Sequence, residues 1–129
     1  MRKTIALLLA LVMCLTLCAC TPSKEKMLEE AITISFNSVW NEYLDNAASA
    51  TAKYDGKTVL WKATVYEIGE SYVEMAESTY QGLPLNSVSV HFKDSNDLMN
   101  LSRLDVITVV GTLRLHSFSK IENAYIVEG

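Results

Sequence analysis

The residues best placed to do chemistry stand at the start of the chain, where Leu17-Cys18-Ala19-Cys20 sets a thiol behind a small residue, with an aliphatic one at minus three. Such a thiol can accept a diacylglyceryl group as a thioether, and the small residue lets a signal peptidase reach the bond in front of it. Cys18 competes as acceptor, but bulky Leu17 sits directly before it, so Ala19 selects Cys20. The two imidazoles, His91 and His116, come next. With no free thiol left, a zinc site would need carboxylates such as Glu74 or Asp94 to complete four ligands. A strand-edge histidine facing solvent or a hydroxyl is the simpler reading, and no metal is expected. Glu67, Glu70, Glu74 and Glu77 could flank a cleft as paired carboxylates do in sugar hydrolysis, yet acids so scattered more simply keep a strand-rich surface soluble. No G-x-S-x-G elbow, H-E-x-x-H, P-loop or G-x-G-x-x-G occurs, so neither catalysis nor a cofactor is expected.

What precedes the thiol explains why it would be modified. Arg2 and Lys3 lead into an apolar stretch from Ile5 to Leu17, the charged and hydrophobic regions of an export signal. The stretch is too short to span a bilayer, which takes roughly 20 apolar residues. Residues 17–20 resemble a bacterial lipobox, which implies cleavage after residue 19 and an acylated Cys20, carrying palmitate-like chains. One chain binds a membrane marginally and two or three hold stably. The expected protein is therefore a lipoprotein with residues 1–19 as signal peptide. It would be anchored on the cell membrane or outer membrane and face away from the cytoplasm.

Losing residues 1–19 removes Arg2 and Lys3 and leaves nine Lys+Arg against 15 Asp+Glu, a net −6. Nucleic-acid binders draw affinity from cations that neutralise phosphates, so this balance disfavours them. Cys14 and Cys18 leave with the signal and Cys20 is consumed, so no disulfide can form. Stability must come from an apolar core, and about 110 residues suffice for one domain.

Residues 20–34, with polar Thr21 to Lys26 at their head, read as the lipidated cysteine and a tether; Met27 to Ile34 could add a helical turn or two. From residue 35 to 129 the pattern is that of a folded domain. Phe36, Val39, Trp40, Tyr43, Ala47, Ala50 and Tyr54 recur at steps of three and four, which predicts a helix with one apolar face, capped by Ser35 or Asn37 and stopped at Asp55-Gly56. Thr58 to Ile68 then alternates as a long strand with both faces partly apolar. Tyr72 to Ala76 and Ser87 to Phe92 follow as strands. Asp94-Ser95-Asn96-Asp97 opens a short helix, Val106 to Leu115 is the fourth strand, and Ile121 to Val127 the fifth. Gly111 inside the fourth marks a bulge or a close backbone approach. Trp40 and Trp61 are spaced to pack the helix on the first strand.

The predicted class is α+β, mainly β: an N-terminal helix followed by a five-stranded OB-fold-like Greek-key barrel in the order β-β-β-α-β-β. Tyr43, Asn46, Ala50, Lys53-Tyr54-Asp55-Gly56-Lys57 and Ile107-Thr108-Val109-Val110-Gly111 together resemble the tRNA_anti-like family of small bacterial OB-fold proteins, many of them envelope lipoproteins. Ala63 and Asp105 depart from that pattern, at positions where such strands often carry glycine. The resemblance implies a fold and an envelope location; it brings no catalytic or binding residues and no tRNA function.

An OB-fold's usual ligand face lies over strands two and three, between the loops after strands one and four. Here it would offer Tyr66, Tyr72, Tyr80, His91 and Phe118. Aromatic platforms stack bases or sugar rings, but the surrounding acids suit an envelope protein, a peptide or a glycan better than a nucleic acid. Three functions are thus weighed: a non-catalytic binding or interaction module; a structural or stress-linked lipoprotein with no specific ligand; and an oligonucleotide-binding OB-fold, disfavoured by charge and export.

Overall fold

A computed structural model describes residues 22–116 and 118–128. The signal segment and Cys20 lie outside the described residues. Among the latter, no helix is long and apolar enough to cross a membrane.

The barrel is built on β2 (Thr58–Ile68), whose alternation buries Val59, Trp61, Ala63 and Val65. β2 is long enough to serve two neighbours. Residues 58–64 pair antiparallel with β7 (Val106–Arg114), and residues 64–68 pair antiparallel with β3 (Val73–Ala76), with a register shift between Val65 and Glu67 that bends the strand. β3 continues to β6 (Val88–Phe92), β6 runs parallel to β8 (Lys120–Glu128), and β8 returns to β7. The five strands close on themselves, which leaves no free edge in the ring. This is a mainly β, OB-like barrel. Between β6 and β7 lies a single short helix, α4 (Asn96–Met99), which buries Leu98.

Three features differ from the sequence reading. The long helix is two: α2 (Phe36–Asp45) and α3 (Ala47–Tyr54) break at Asn46, whose backbone is extended and whose side-chain oxygen accepts from Ser49 N–H at 3.0 Å. Asparagine competes for backbone donors and so starts a new helix where the apolar spacing alone would continue the old one. The tether is shorter than residues 20–34. Ser23 caps α1 (Lys24–Glu30), which lies against β2 and β7 with Met27 fully buried, and Ile32–Thr33 forms β1, parallel to β2. Between β3 and β6 there is also a two-stranded hairpin, β4 (Ser78–Tyr80) and β5 (Leu83–Leu85). Gln81 and Gly82 both take positive φ at its tip, 53° and 78°, the turn type whose twist matches two paired strands.

The residues of the family-like motif bind helix to barrel. Lys53 Nζ reaches Glu42 at 3.0 Å and the Tyr54 hydroxyl donates to the same carboxylate. That hydroxyl first, then Lys53, holds the Glu42 carboxyl below its usual range. Asp55 accepts from Leu115 N–H at 2.9 Å, and Gly56, at φ +76°, donates to Leu113 O at 2.8 Å. Lys53 and Tyr54 therefore tie α3 to α2, while Asp55 and Gly56 clasp the end of α3 to the end of β7. The Lys-Tyr-Asp-Gly run is architecture rather than a binding motif.

Candidate functional site

One cleft of about 640 Å3 opens on the outer face of β3 and β6. Its floor is a cross-strand pair: Glu74 stands opposite Ser89, whose hydroxyl donates to the carboxylate. One end is the turn after β2. There Gly69 N–H donates to Tyr72 O at 2.8 Å, and the Tyr72 ring lies so close over Gly69 that an added Cβ would meet Cε1 at 2.9 Å. The ring's place is thus set by the turn on one side and by His91, stacked at 5.5 Å between ring centres, on another. Tyr66 and Glu67 join from the end of β2, and Arg103 donates from Nε to Tyr66 O at 3.1 Å. At the other end Phe118 and Ser119 come from the loop between β7 and β8, which His116 ties together: its Nδ1 accepts from Phe118 N–H and its carbonyl from the Ser119 hydroxyl.

The remaining wall comes from two elements whose part the sequence did not disclose. α2 presents Phe36 and Trp40, and the hairpin presents Gly82, Leu83 and Pro84. Asn37 holds the two together, donating to Ser78 Oγ at 3.1 Å and accepting from Asn86 Nδ2 at 3.2 Å. Trp40, half-buried between cleft and helix, stacks on Tyr43 at 5.0 Å and on Phe36 at 6.2 Å. The two tryptophans therefore part company. Trp61 is core, 1% exposed, while Trp40 shows itself to the cleft.

Of the five residues proposed from sequence for a ligand face, Tyr66, Tyr72 and Phe118 line the cleft. His91 supports Tyr72 from outside the lining, and Tyr80 lies on the exposed hairpin strand, 63% accessible and also outside it. Among the described residues no group of three His, Cys, Asp or Glu is arranged to hold a metal. The acids are not merely solubilising, as their scatter suggested. Glu74 is tied to Ser89, and Glu77, just beyond β3, caps the barrel-facing end of α2. Its carboxylate accepts from the Ser35 hydroxyl at 2.8 Å, from Phe36 N–H, from Asn37 N–H at 3.4 Å and from the Trp61 indole at 2.6 Å. Ser35 and Asn37, the caps expected from sequence, make no such bond to the helix themselves. One carboxylate, 42 residues along the chain from Ser35, does it for them.

Aromatic rings, two carboxylates and one guanidinium make a surface that can stack, accept hydrogen bonds and attract positive charge. A family model described as tRNA_anti-like matches residues 1–123. Among solved structures, a "putative nucleic acid-binding lipoprotein" from Klebsiella pneumoniae subsp. pneumoniae MGH 78578 is similar with a TM-score of 0.60 at 20% identity, covering 84% of this chain and 100% of that one. At that identity the likeness shows the fold alone. No curated protein matches the sequence.

Proposed function

The chain belongs to the tRNA_anti-like family, and from that premise we propose that it is an envelope lipoprotein, held on a membrane through Cys20, whose OB-like barrel is a non-catalytic binding module. The observation that carries this reading is the position of the cleft. It lies over the strand pair β3–β6 and between the two loops where OB barrels take their ligands. A protein, peptide or glycan of the envelope fits the lining, which carries Glu67 and Glu74 against Arg103 alone.

A thermal-shift series on the full-length lipoprotein tests the module. A ligand bound only by the folded state raises the melting point by mass action, by about 2.7 kcal/mol of stability at 100 times Kd. Envelope glycan fragments, peptides and soluble envelope proteins should include one that does so for the unaltered protein and fails with Tyr72→Ala or Phe118→Ala. A full panel that leaves every melting point in place would favour a domain that only occupies space.

The anchor is tested separately. Cys20→Ala should abolish the acyl mass on the mature N-terminus and release the protein from the membrane fraction, because two or three chains at about 0.8 kcal/mol per buried CH₂ supply the binding. Mass spectrometry of native-host protein that found residues 1–19 still attached, with Cys20 unmodified, would overturn it.

A second reading, single-stranded nucleic acid, is favoured by the OB-like barrel with its stacking tyrosines and by the description borne by the Klebsiella structure. The charge of the cleft speaks against it, since such grooves pair their rings with Lys and Arg. Oligo(dT) is expected not to bind even at low salt, where screening is least.

A further inference from the structure

The cleft's charges are unevenly answered. Among the described residues neither Glu67 nor Glu74 has a cationic partner; the ion pairs that exist join Lys53 to Glu42, and Arg114 and Lys120 to Glu122. Glu74 meets only the neutral Ser89 hydroxyl, and Arg103, the one cation in the wall, spends its Nε on the Tyr66 carbonyl. The same cleft is lined by Trp40, Tyr66, Tyr72 and Phe118. A ring presents negative potential from its face, and aromatic walls are how proteins hold ammonium groups that shed part of their water. Above the rings the rim is apolar: Phe118 is 85% exposed and Leu83 69%.

We infer that the cleft is a site for an organic ammonium ion carried on an apolar body, with Glu67 and Glu74 supplying charge, Tyr66 and Phe118, which stack on no other ring among the described residues, the aromatic contact, Trp40 and Tyr72 closing the wall from rings already stacked on their neighbours, and Leu83 covering the apolar part. The inference rests on the reading of this cleft as the ligand face and narrows it to one chemistry. An anion would enter against two unpaired carboxylates. A neutral sugar could stack, but it would strip water from those carboxylates and return no opposite charge. An alkylated or primary ammonium answers both wall and charge. Its source is either a small amine or a lysine side chain of a partner.

The test uses the full-length lipoprotein in a polyoxyethylene detergent, which carries neither sugar nor charge, and reads tryptophan emission. Trp40 lines the cleft and Trp61 is sealed, so Trp40→Phe identifies the signal. Tetramethylammonium and choline chlorides are titrated against potassium chloride at matched ionic strength, beside a lysine-leucine peptide and its Nε-acetylated form, chitotetraose and oligo(dT). A saturable change with the ammonium salts or with the unmodified peptide is expected, weakened at least tenfold by Glu67→Gln and by Glu74→Gln and at least tenfold by acetylation. Choline binding as tightly as the peptide identifies a small amine, and a peptide tighter by tenfold or more identifies a lysine of a partner. Glu67 is exposed and engaged in no fold contact named above, so its variant keeps the test valid should Glu74→Gln disturb the sheet. Equal binding of the acetylated peptide, or no response to any cation, overturns the inference. If chitotetraose or oligo(dT) then moves the Trp40 signal, the binding module survives without the ammonium site; if no probe does, both fall.

Discussion

Gly111→Ala should cost the fold about 3 kcal/mol or more and lower the melting point by on the order of 10 °C, read by circular dichroism against heat and urea. Gly111 sits mid-strand in β7 where β8 crosses closest. A Cβ there would lie 2.4 Å from Ile121 Cγ2, 2.9 Å from Glu122 O and 3.2 Å from Ala124 Cα. The first contact is a fully buried branched side chain and the other two are backbone of the neighbouring strand, so nothing flexible can give way and the two strands must part. The β7–β8 register already shifts between Val110 and Thr112, which is how the barrel turns its corner there. Removing the Ile121 side chain together with the glycine should restore little, because the Glu122 carbonyl remains. Gly82→Ala is the contrast. It has open space around its Cβ but sits at φ +78°, so its cost is backbone strain alone, about 1 kcal/mol. A Gly111→Ala protein as stable as the Gly82→Ala one would show that close approach does not govern this strand pair.

Gly111 is also where the sequence spoke most clearly, since a glycine inside an alternating β-branched run has few reasons to be there. The strands were legible for the same reason. A period of two survives in β2 because one face is buried all along, whereas in β8 Ile121 and Ala124 are both buried, the alternation being broken at Asn123, which takes φ +51°, where the register against the neighbouring strands shifts. What was not legible has its own physics. Asn46 breaks the helix without breaking the apolar spacing, because its effect is a side-chain bond rather than a change of pattern. The hairpin turn rests on Gln81 at positive φ, a residue that carries no such signal, whereas Gly82 beside it does. Leu104 likewise takes φ +74°, its N–H donating to Val65 O at 2.7 Å. In the cleft, Tyr66, Tyr72 and Phe118 could be found from strand order and loop position. Trp40 could not, since the same spacing serves a residue wholly or half covered. Glu67 and Glu74 read as surface acids because charge on a strand's outer face looks alike whether or not a second layer, here the hairpin and α2, rises beside it.

Glu77→Ala should be the most damaging change to any charged residue, at roughly 3 to 4 kcal/mol, although nothing in the sequence distinguishes Glu77 from its acidic neighbours. Two losses combine. The Trp61 indole N–H, on a residue 1% exposed, would be left in the core with no acceptor, which costs about 1–3 kcal/mol. The first turn of α2 would also lose the carboxylate that receives Phe36 and Asn37 N–H, worth about 1 kcal/mol as a cap and favoured further by the helix dipole. Glu77→Gln keeps an acceptor but not the charge, and places an amide donor among donors, so it should fall between alanine and the native protein. Trp61→Phe combined with Glu77→Ala removes the orphaned N–H along with its partner. The pair should therefore cost less than the two single changes added together, the sign of direct coupling in a double-mutant cycle. The consequence reaches the surface. Phe36 packs against Trp61 at 6.0 Å and against Trp40 at 6.2 Å, so the carboxylate that seats α2 also seats the ring wall of the cleft. In Glu77→Gln protein that remains folded, Trp40 emission should shift and whatever the cleft binds should bind more weakly, although Glu77 does not line it. Native stability with Glu77→Ala, or additive energies in the cycle, would mean that the helix is held by its apolar face alone.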